Sequence, residues 1–467
     1  MVESLFNLMR MEWLITALIF ILLFLKLGKT VPVNRAIAIV VGGLLFAIFL
    51  ATRGEMNGTL FAGMFQTRAL MFIEKTILII AVLLITLLYY DWLKAHAHGV
   101  EFLILLLTSL LGMFFMISAG NLLMFYLSLE LATIPIAALS NFDLEKRKSS
   151  EAAMKMILSS AFASGFILFG ISLIYGATGT IQFEFLQFQL NVKEPLQVLA
   201  YILFFSGFAF KLSVVPFHFW TADVYEGSPT AVAAFLSVVS KGAVTFIFIT
   251  ILYKVFAPLA IISDGLIAGL SILTILIGNF FALRQTQLKR FLAFSSIAQV
   301  GFILVALRAD MATGTAAIIY FLIVYVFSNL AAFGVVGVLG NKAGIENLEG
   351  LRGLYKNNKL LSWSLAIALF SLAGIPPTAG FWGKMFLIMS GASQSTLGFI
   401  LVVVLNLVVS LFYYLRIVKL IFSESNVSTP ENIFFSKATR WGFYICIAGI
   451  LLTGFYGWLY EHILALS

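Results

Sequence analysis

Several ionisable side chains in this sequence lie inside stretches that are otherwise apolar. Glu130 sits in NLLMFYLSLELATIPIAALS, about nine residues from either end, and Lys211, Lys241 and Lys384 are flanked by apolar residues in the same way. A lysine at the centre of a membrane costs about 2.5–3.5 kcal/mol on insertion scales, and such charges mark ion or proton pathways. Burial disfavours the charged form of an ionisable group, and a nearby opposite charge restores it. A lysine whose carboxylate partner approaches and withdraws can therefore take up and release a proton, which is the chemistry of a relay. The alternative is a static ion pair that holds helices together. His218 follows Lys211 by seven residues. Its reference pKa near 6.5 suits it to pass a proton, with a hydrogen-bonded core histidine as the rival reading. Lys155 lies about four residues inside its stretch, after Ser149-Ser150-Glu151, where snorkelling to the surface competes with a pathway role.

Other polar residues are weaker candidates. Ser295, Ser296, Gln299 and Asn406 can order water or bond backbone between helices. Asp223 and Glu226 are read as capping a turn and pairing locally. Glu74 and Lys75 are adjacent, hence on different parts of a helix surface, and are read as interface anchors.

The elements that must position these groups follow from composition. The chain of 467 residues is 61% hydrophobic and 11% charged, with a mean hydropathy of +1.06. Apolar runs of about twenty residues recur throughout, as in a polytopic helical membrane protein. The net charge of +8 is read as basic loops that set orientation, not as a nucleic-acid surface. Cys446 is the only cysteine, which leaves no intrachain disulfide and no cysteine-ligated cluster or zinc site. The sequence has no Gly-x-Gly-x-x-Gly and no phosphate-binding glycine loop. His96, His98, His218 and His462 do not share a helix face. Redox and nucleotide chemistry are therefore expected in other chains, with no cofactor or metal held in this one. The first apolar run, about 12–25, is followed by Lys26 and Lys29 without a small-residue cleavage signal, and is read as a retained helix.

Apolar spans predict fourteen transmembrane helices near 12–28, 34–52, 70–92, 100–118, 121–140, 151–175, 195–225, 230–254, 257–282, 290–308, 312–340, 358–390, 394–422 and 437–463. The odd-numbered loops hold 18 of the 29 Lys and Arg residues; the N-terminus and even loops hold six. The other five, Lys75, Lys155, Lys211, Lys241 and Lys384, fall inside spans. The bias predicts cytoplasmic odd loops and both termini on the opposite side.

Pro216 interrupts helix 7, and Gly374-Ile375-Pro376-Pro377 interrupts helix 12, five helices later. A proline removes an N–H and frees carbonyls, which at membrane depth must be buried in protein or line a wet cavity. An odd offset gives two units of opposite orientation, as in inverted-repeat transporters. The expected organisation is helices 1–3 in 1–99, one repeat of helices 4–8 in 100–255, a second of helices 9–13 in 256–422, and helix 14 in 423–467. Aligning Pro216 with Pro377 sets Lys211 against Leu372 and Lys384 against Asp223, so the break repeats but the charge does not.

FKLSVVPFHFWTADVYEGSPTAVAAFLSVVSK (210–241), LKRFLAFSSIAQVGF (288–302) and SLAGIPPTAGFWGKMFL (371–387) resemble the antiporter-like membrane subunits of respiratory complex I. DVYEGSPT is typical of the N type, GFWGK puts Lys384 where the M type carries a glutamate, and the length leaves no room for the long lateral helix of the L type. The resemblance implies a proton-translocating membrane-arm subunit. NADH oxidation, FMN, iron–sulfur clusters and quinone reduction would reside in other subunits of the complex. It implies Glu130 as the helix 5 carboxylate, Lys211 as its helix 7 partner, Lys241 as the central relay lysine and Lys384 as the outlet-side lysine. Lys155 and His218 also fall on matching positions. Gln299 departs from the family pattern, where many relatives have His. The partners implied are a neighbouring antiporter-like subunit, small membrane subunits and the lipid of a bacterial inner membrane. A component of a multisubunit cation/proton antiporter is the alternative, and a scaffold subunit without a pathway is a third possibility.

Overall fold

A computed structural model of the chain describes residues 2–28, 32–53, 57–393, 395–424 and 433–467. Lys29, Gln394 and most of the 423–436 connection lie outside the described residues. Among the described residues, thirteen helices are long and apolar enough to cross a membrane. They match all the predicted spans except the twelfth, which is divided into two shorter helices, Lys359–Ala373 and Ala379–Ala392. Helix 7 is divided as well, into Pro195–Leu212 and Phe219–Gly227. Helix 14 stops at Phe455, earlier than the 463 expected, and Trp458–Leu466 forms a separate short helix. A two-stranded hairpin, Gly58–Leu60 with Phe65–Thr67, joins helices 2 and 3; it is too short to leave a strand signature in the sequence.

Two compact units emerge. The first comprises Met1–Leu83, Leu93–Ser213 and Val239–Leu266. In it helix 6 (Arg147–Thr178) packs along the first half of helix 7, and helix 4 (Gly99–Ile117) along helix 5 (Leu122–Ser140). Small residues permit the approach: a Cβ added to Gly207 would lie 2.8 Å from the Ala163 carbonyl oxygen. Lipid tails are as apolar as leucine, so such backbone proximity supplies the dispersion contact that holds membrane helices together. Asn121 starts helix 5 by accepting a 2.7 Å hydrogen bond from the Met124 N–H, the usual work of an N-cap.

Lys75 and Glu74 are not interface anchors. Both are buried, and the Lys75 ammonium donates to Glu12 Oε1 at 2.5 Å and to Ser118 Oγ at 2.7 Å. Position near a helix start favours snorkelling only while neighbouring helices leave a route to water. Here the ends of helices 1 and 4 and the rings of Phe65 and Phe114 close around Lys75.

The second unit comprises Leu84–Trp92, Val214–Val238 and Ile267–Ser467. Its central element is helix 11, Met311–Ala343, which packs against both halves of helix 12 and against helix 14. Asp310 caps it, accepting from the Thr313 N–H at 3.0 Å. Asp223 and Glu226 pair beyond their own turn. Arg290, at the start of helix 10 (Leu288–Ala306), donates to both, at 2.8 and 2.9 Å, and Lys289 donates to the Ser228 carbonyl at 2.9 Å. Two of the sequence signatures, DVYEGSPT and LKRF, therefore form one clamp.

Candidate functional site

The two breaks use the same backbone device. The first half of helix 7 is closed by Ser213 in the left-handed region (φ 66°), three residues before Pro216. The first half of helix 12 is closed by Gly374 (φ 84°), three residues before Pro377. A left-handed residue ends a helix by turning the chain off its axis. Both Val215–Pro216 and Pro376–Pro377 are cis.

Lys211 stands in the last turn of the first half of helix 7 and is 8% exposed. Its ammonium donates to Thr133 Oγ1 of helix 5 at 2.9 Å and to Ser160 Oγ of helix 6 at 2.6 Å. Glu130 lies one turn before Thr133 on the same face of helix 5. Among the described residues the two do not form an ion pair within 4 Å, and Glu130 Oε1 is buried without a hydrogen-bond partner. Pro135, inside helix 5, has no N–H to give the carbonyl four residues earlier, which is next to Glu130. The lysine thus rests on two hydroxyls, one of them a turn from Glu130 along helix 5.

Lys241 follows directly on a five-residue π-helical turn, Leu236–Ser240, and is 4% exposed. Such turns widen a helix locally and are frequent at functional sites. Its own carbonyl accepts from Thr245 Oγ1 at 2.7 Å. His218 is 5% exposed, begins the second part of helix 7 and lies against the ring of Phe219. Lys155 is not brought to Lys211. It lies on the exposed side of helix 6, where it pairs with Glu151 at 2.8 Å, four residues earlier.

Lys384, in the second half of helix 12, is 3% exposed. Its ammonium donates to the Ala373 carbonyl at 3.3 Å and lies 5.2 Å from the centre of the Phe302 ring. The break frees that carbonyl, so the interrupted helix provides the acceptor for the buried lysine. Gly380 lets the second half begin close to the first, because a Cβ there would overlap the Ser371 carbonyl oxygen.

The second unit also carries a hydroxyl and amide network. Gln299 donates to the neighbouring Leu372 carbonyl at 3.2 Å and to the Tyr414 hydroxyl at 3.1 Å. Tyr414 also bonds Ser295 at 2.5 Å. Tyr413 donates to Asn279, which donates to Asn406. Ser237 bonds Tyr325 and accepts from Asn329. Of these groups the sequence pointed to Ser295, Gln299 and Asn406. It did not single out Thr133, Ser160, Asn279, Tyr325, Tyr413 or Tyr414. Thr133, one turn from Glu130, and the adjacent tyrosines within an apolar helix were visible signals; the others needed the packing.

An apolar helical bundle with two interrupted helices and buried lysines defines a polytopic membrane protein of the antiporter-like class. The profile of the NADH:quinone oxidoreductase/Mrp antiporter transmembrane family matches residues 119–410. A protein named NADH-quinone oxidoreductase subunit N from Phocaeicola vulgatus is 45% identical over 86% of both chains. NAD(P)H-quinone oxidoreductase subunit 2 of a Picosynechococcus strain is 35% identical over 86% of this chain and 78% of its own. Among solved structures, a chain of respiratory complex I from Thermus thermophilus aligns with a TM-score of 0.81 at 29% identity, covering 98% of this chain and 99% of that one. A chain of the Mrp complex from Dietzia shares the fold, with a TM-score of 0.81 at 20% identity over 98% and 94% of the two chains. The chain belongs to the NADH:quinone oxidoreductase/Mrp antiporter family, in its subunit N group.

Proposed function

We propose that this chain is a proton-translocating membrane-arm subunit of NADH-quinone oxidoreductase, driven by NADH-to-quinone electron transfer in the other subunits. The observation that carries the reading is how Lys211 is held. The ammonium is held by neutral hydroxyls, and one turn before Thr133 the half-buried Glu130 keeps its Oε1 buried without a hydrogen-bond partner. Movement of Lys211 between Thr133/Ser160 and Glu130 changes how well its charge is stabilised, and with it whether the proton is kept or passed on. Lys241, beside the π turn, serves as the central relay group. Lys384, on the carbonyl freed by the break, serves as the outlet-side group, and His218 serves as a proton carrier at the other break. Lys155 has the weakest claim, because its pairing with Glu151 is that of a surface residue. Gln299 carries no proton charge, and in this reading it orients Tyr414 and the Leu372 carbonyl.

The organising unit of this reading is the inverted repeat of helices 4–8 and 9–13, within 100–255 and 256–422. It is supported by the left-handed residue three positions before the aligned proline in each break. The excess of Lys and Arg in the odd-numbered loops supports reading those loops as cytoplasmic and both termini as outside, in a bacterial inner membrane. FMN, iron–sulfur clusters, NADH and quinone belong to partner subunits.

The test is proton pumping by inverted membranes carrying Lys211→Met, measured together with NADH–quinone turnover of the assembled complex. Strong loss of coupled activity at normal assembly is expected. Unchanged pumping and turnover would return Lys211 to a structural role. Activity driven by an ion gradient alone, without NADH and quinone, would favour the cation/proton antiporter reading.

A further inference from the structure

The break in helix 12 opens a cavity of about 500 Å³ between the two halves of that helix and helix 13, Leu397–Phe422. The volume is in the range of small-ligand sites. Every side chain that lines it is apolar except that of Lys384. The inner wall is the broken backbone around Gly374–Pro376; the outer mouth is set by Met389 and Val408, which are 59% and 61% exposed. Lys384 itself is 3% exposed and reaches a single hydrogen-bond acceptor among the described residues, the Ala373 carbonyl at 3.3 Å. An ammonium has three N–H donors; besides the Ala373 carbonyl it faces only the Phe302 ring, so it keeps donor capacity with no oxygen acceptor among the described residues. The site thus joins an unused cationic donor at its inner end to an apolar channel that opens on the outer face.

We propose that this groove binds one long-chain carboxylic amphiphile, with its carboxylate on Lys384 and its hydrocarbon chain running out past Met389 and Val408. Charge complementarity selects an anion, because a carboxylate accepts charge-assisted hydrogen bonds from the unused donors. The apolar walls select a tail, since a water needs two to four polar partners that this lining does not offer. Membrane depth selects a carboxylic acid over a phospholipid. The acid enters hydrocarbon in its protonated, neutral form and passes that proton to the Lys384 amine, which forms the ammonium–carboxylate pair in place, whereas a phosphodiester would carry its charge into the same region at far greater cost. The site stands on the groove and on the lysine donors, whether or not Lys384 relays protons.

The test uses the assembled complex in native membranes. Hexadecanoic acid bearing a photoreactive diazirine on its chain is compared with the matching hexadecanol, followed by peptide mapping. Labelling by the acid should fall on helices 12 and 13 near Met389 and Val408, and be competed by hexadecanoate but not by hexadecanol. Val408→Trp, which fills the mouth, should reduce it on the order of tenfold. Lys384→Met should bring the acid down to the level of the alcohol. Equal labelling by acid and alcohol in the unaltered complex overturns the proposal, because chain partition alone would then explain it. Absence of label from these helices, or label insensitive to Val408→Trp, overturns it too. Neither result depends on pumping, so a failed relay assignment and a failed binding site are distinguishable.

Discussion

Replacing Lys75 by Met tests whether the cluster beneath the hairpin is dry. Lys75 and Glu12 are each 1% exposed, joined at 2.5 Å, with Ser118 as the second acceptor. The substitution keeps most of the volume of the side chain but strands the Glu12 carboxylate, whose Oε2 already has no partner. Removing one member of a buried pair costs about 3–5 kcal/mol, which is roughly two to three and a half orders of magnitude in the folded-to-unfolded ratio. Glu12→Leu combined with Lys75→Met removes both charges and should recover most of that loss, because no uncompensated ion remains. The assay is the midpoint of thermal loss of the assembled complex in detergent, with both single variants and the double variant compared as a cycle. The expected order is wild type, double variant, then Lys75→Met. A single variant that loses less than about 1 kcal/mol would show that water reaches the pair, as at a surface site. A double variant no better than Lys75→Met would refute the argument from uncompensated charge. Complex that does assemble with Lys75→Met should pump normally, since this pair is not part of the proposed relay.

The other predictions follow from single contacts. Gly380→Ala drives a Cβ into the Ser371 carbonyl oxygen and should abolish assembly, while Gly398→Ala, with nothing within 4 Å, should not change the assembled yield. Thr133→Val with Ser160→Ala removes both hydroxyl acceptors of Lys211, each worth about 1.5–3 kcal/mol as a bond to a charged group; coupled turnover should fall while the complex still assembles, and unchanged turnover would mean that these hydroxyls do not hold a working state. Arg290→Lys keeps the charge but loses the fork that spans Asp223 and Glu226. The clamp is about one-third exposed, so the cost should be about 1 kcal/mol, read as a small fall in the thermal midpoint and a larger one for Arg290→Ala. Lys155→Met should leave pumping within about twofold of wild type, because an exposed i,i+4 pair contributes little; a large loss would restore Lys155 to the pathway.

The sequence by itself determined the membrane class, the order of the spans and the two interruptions. Apolar run length, proline chemistry and the cost of charge in lipid are local rules that need no partner. It also named the buried lysines and Glu130, because an ionisable residue within an apolar run stands out without a structure. Tertiary structure alone decided what each charge rests on. Lys75 turned from an interface anchor into a buried ion pair because helices distant in sequence close over it. Asp223 and Glu226, read as a local cap, receive Arg290 from some 65 residues away. Lys211 sits on Thr133 and Ser160 and not on Glu130, and hydroxyls of this kind leave no mark in composition because they are common in helices for other reasons. A span can be read one residue at a time, but a partner is set by how helices pack, and that depends on small residues and left-handed turns whose consequences appear only when the whole chain is folded.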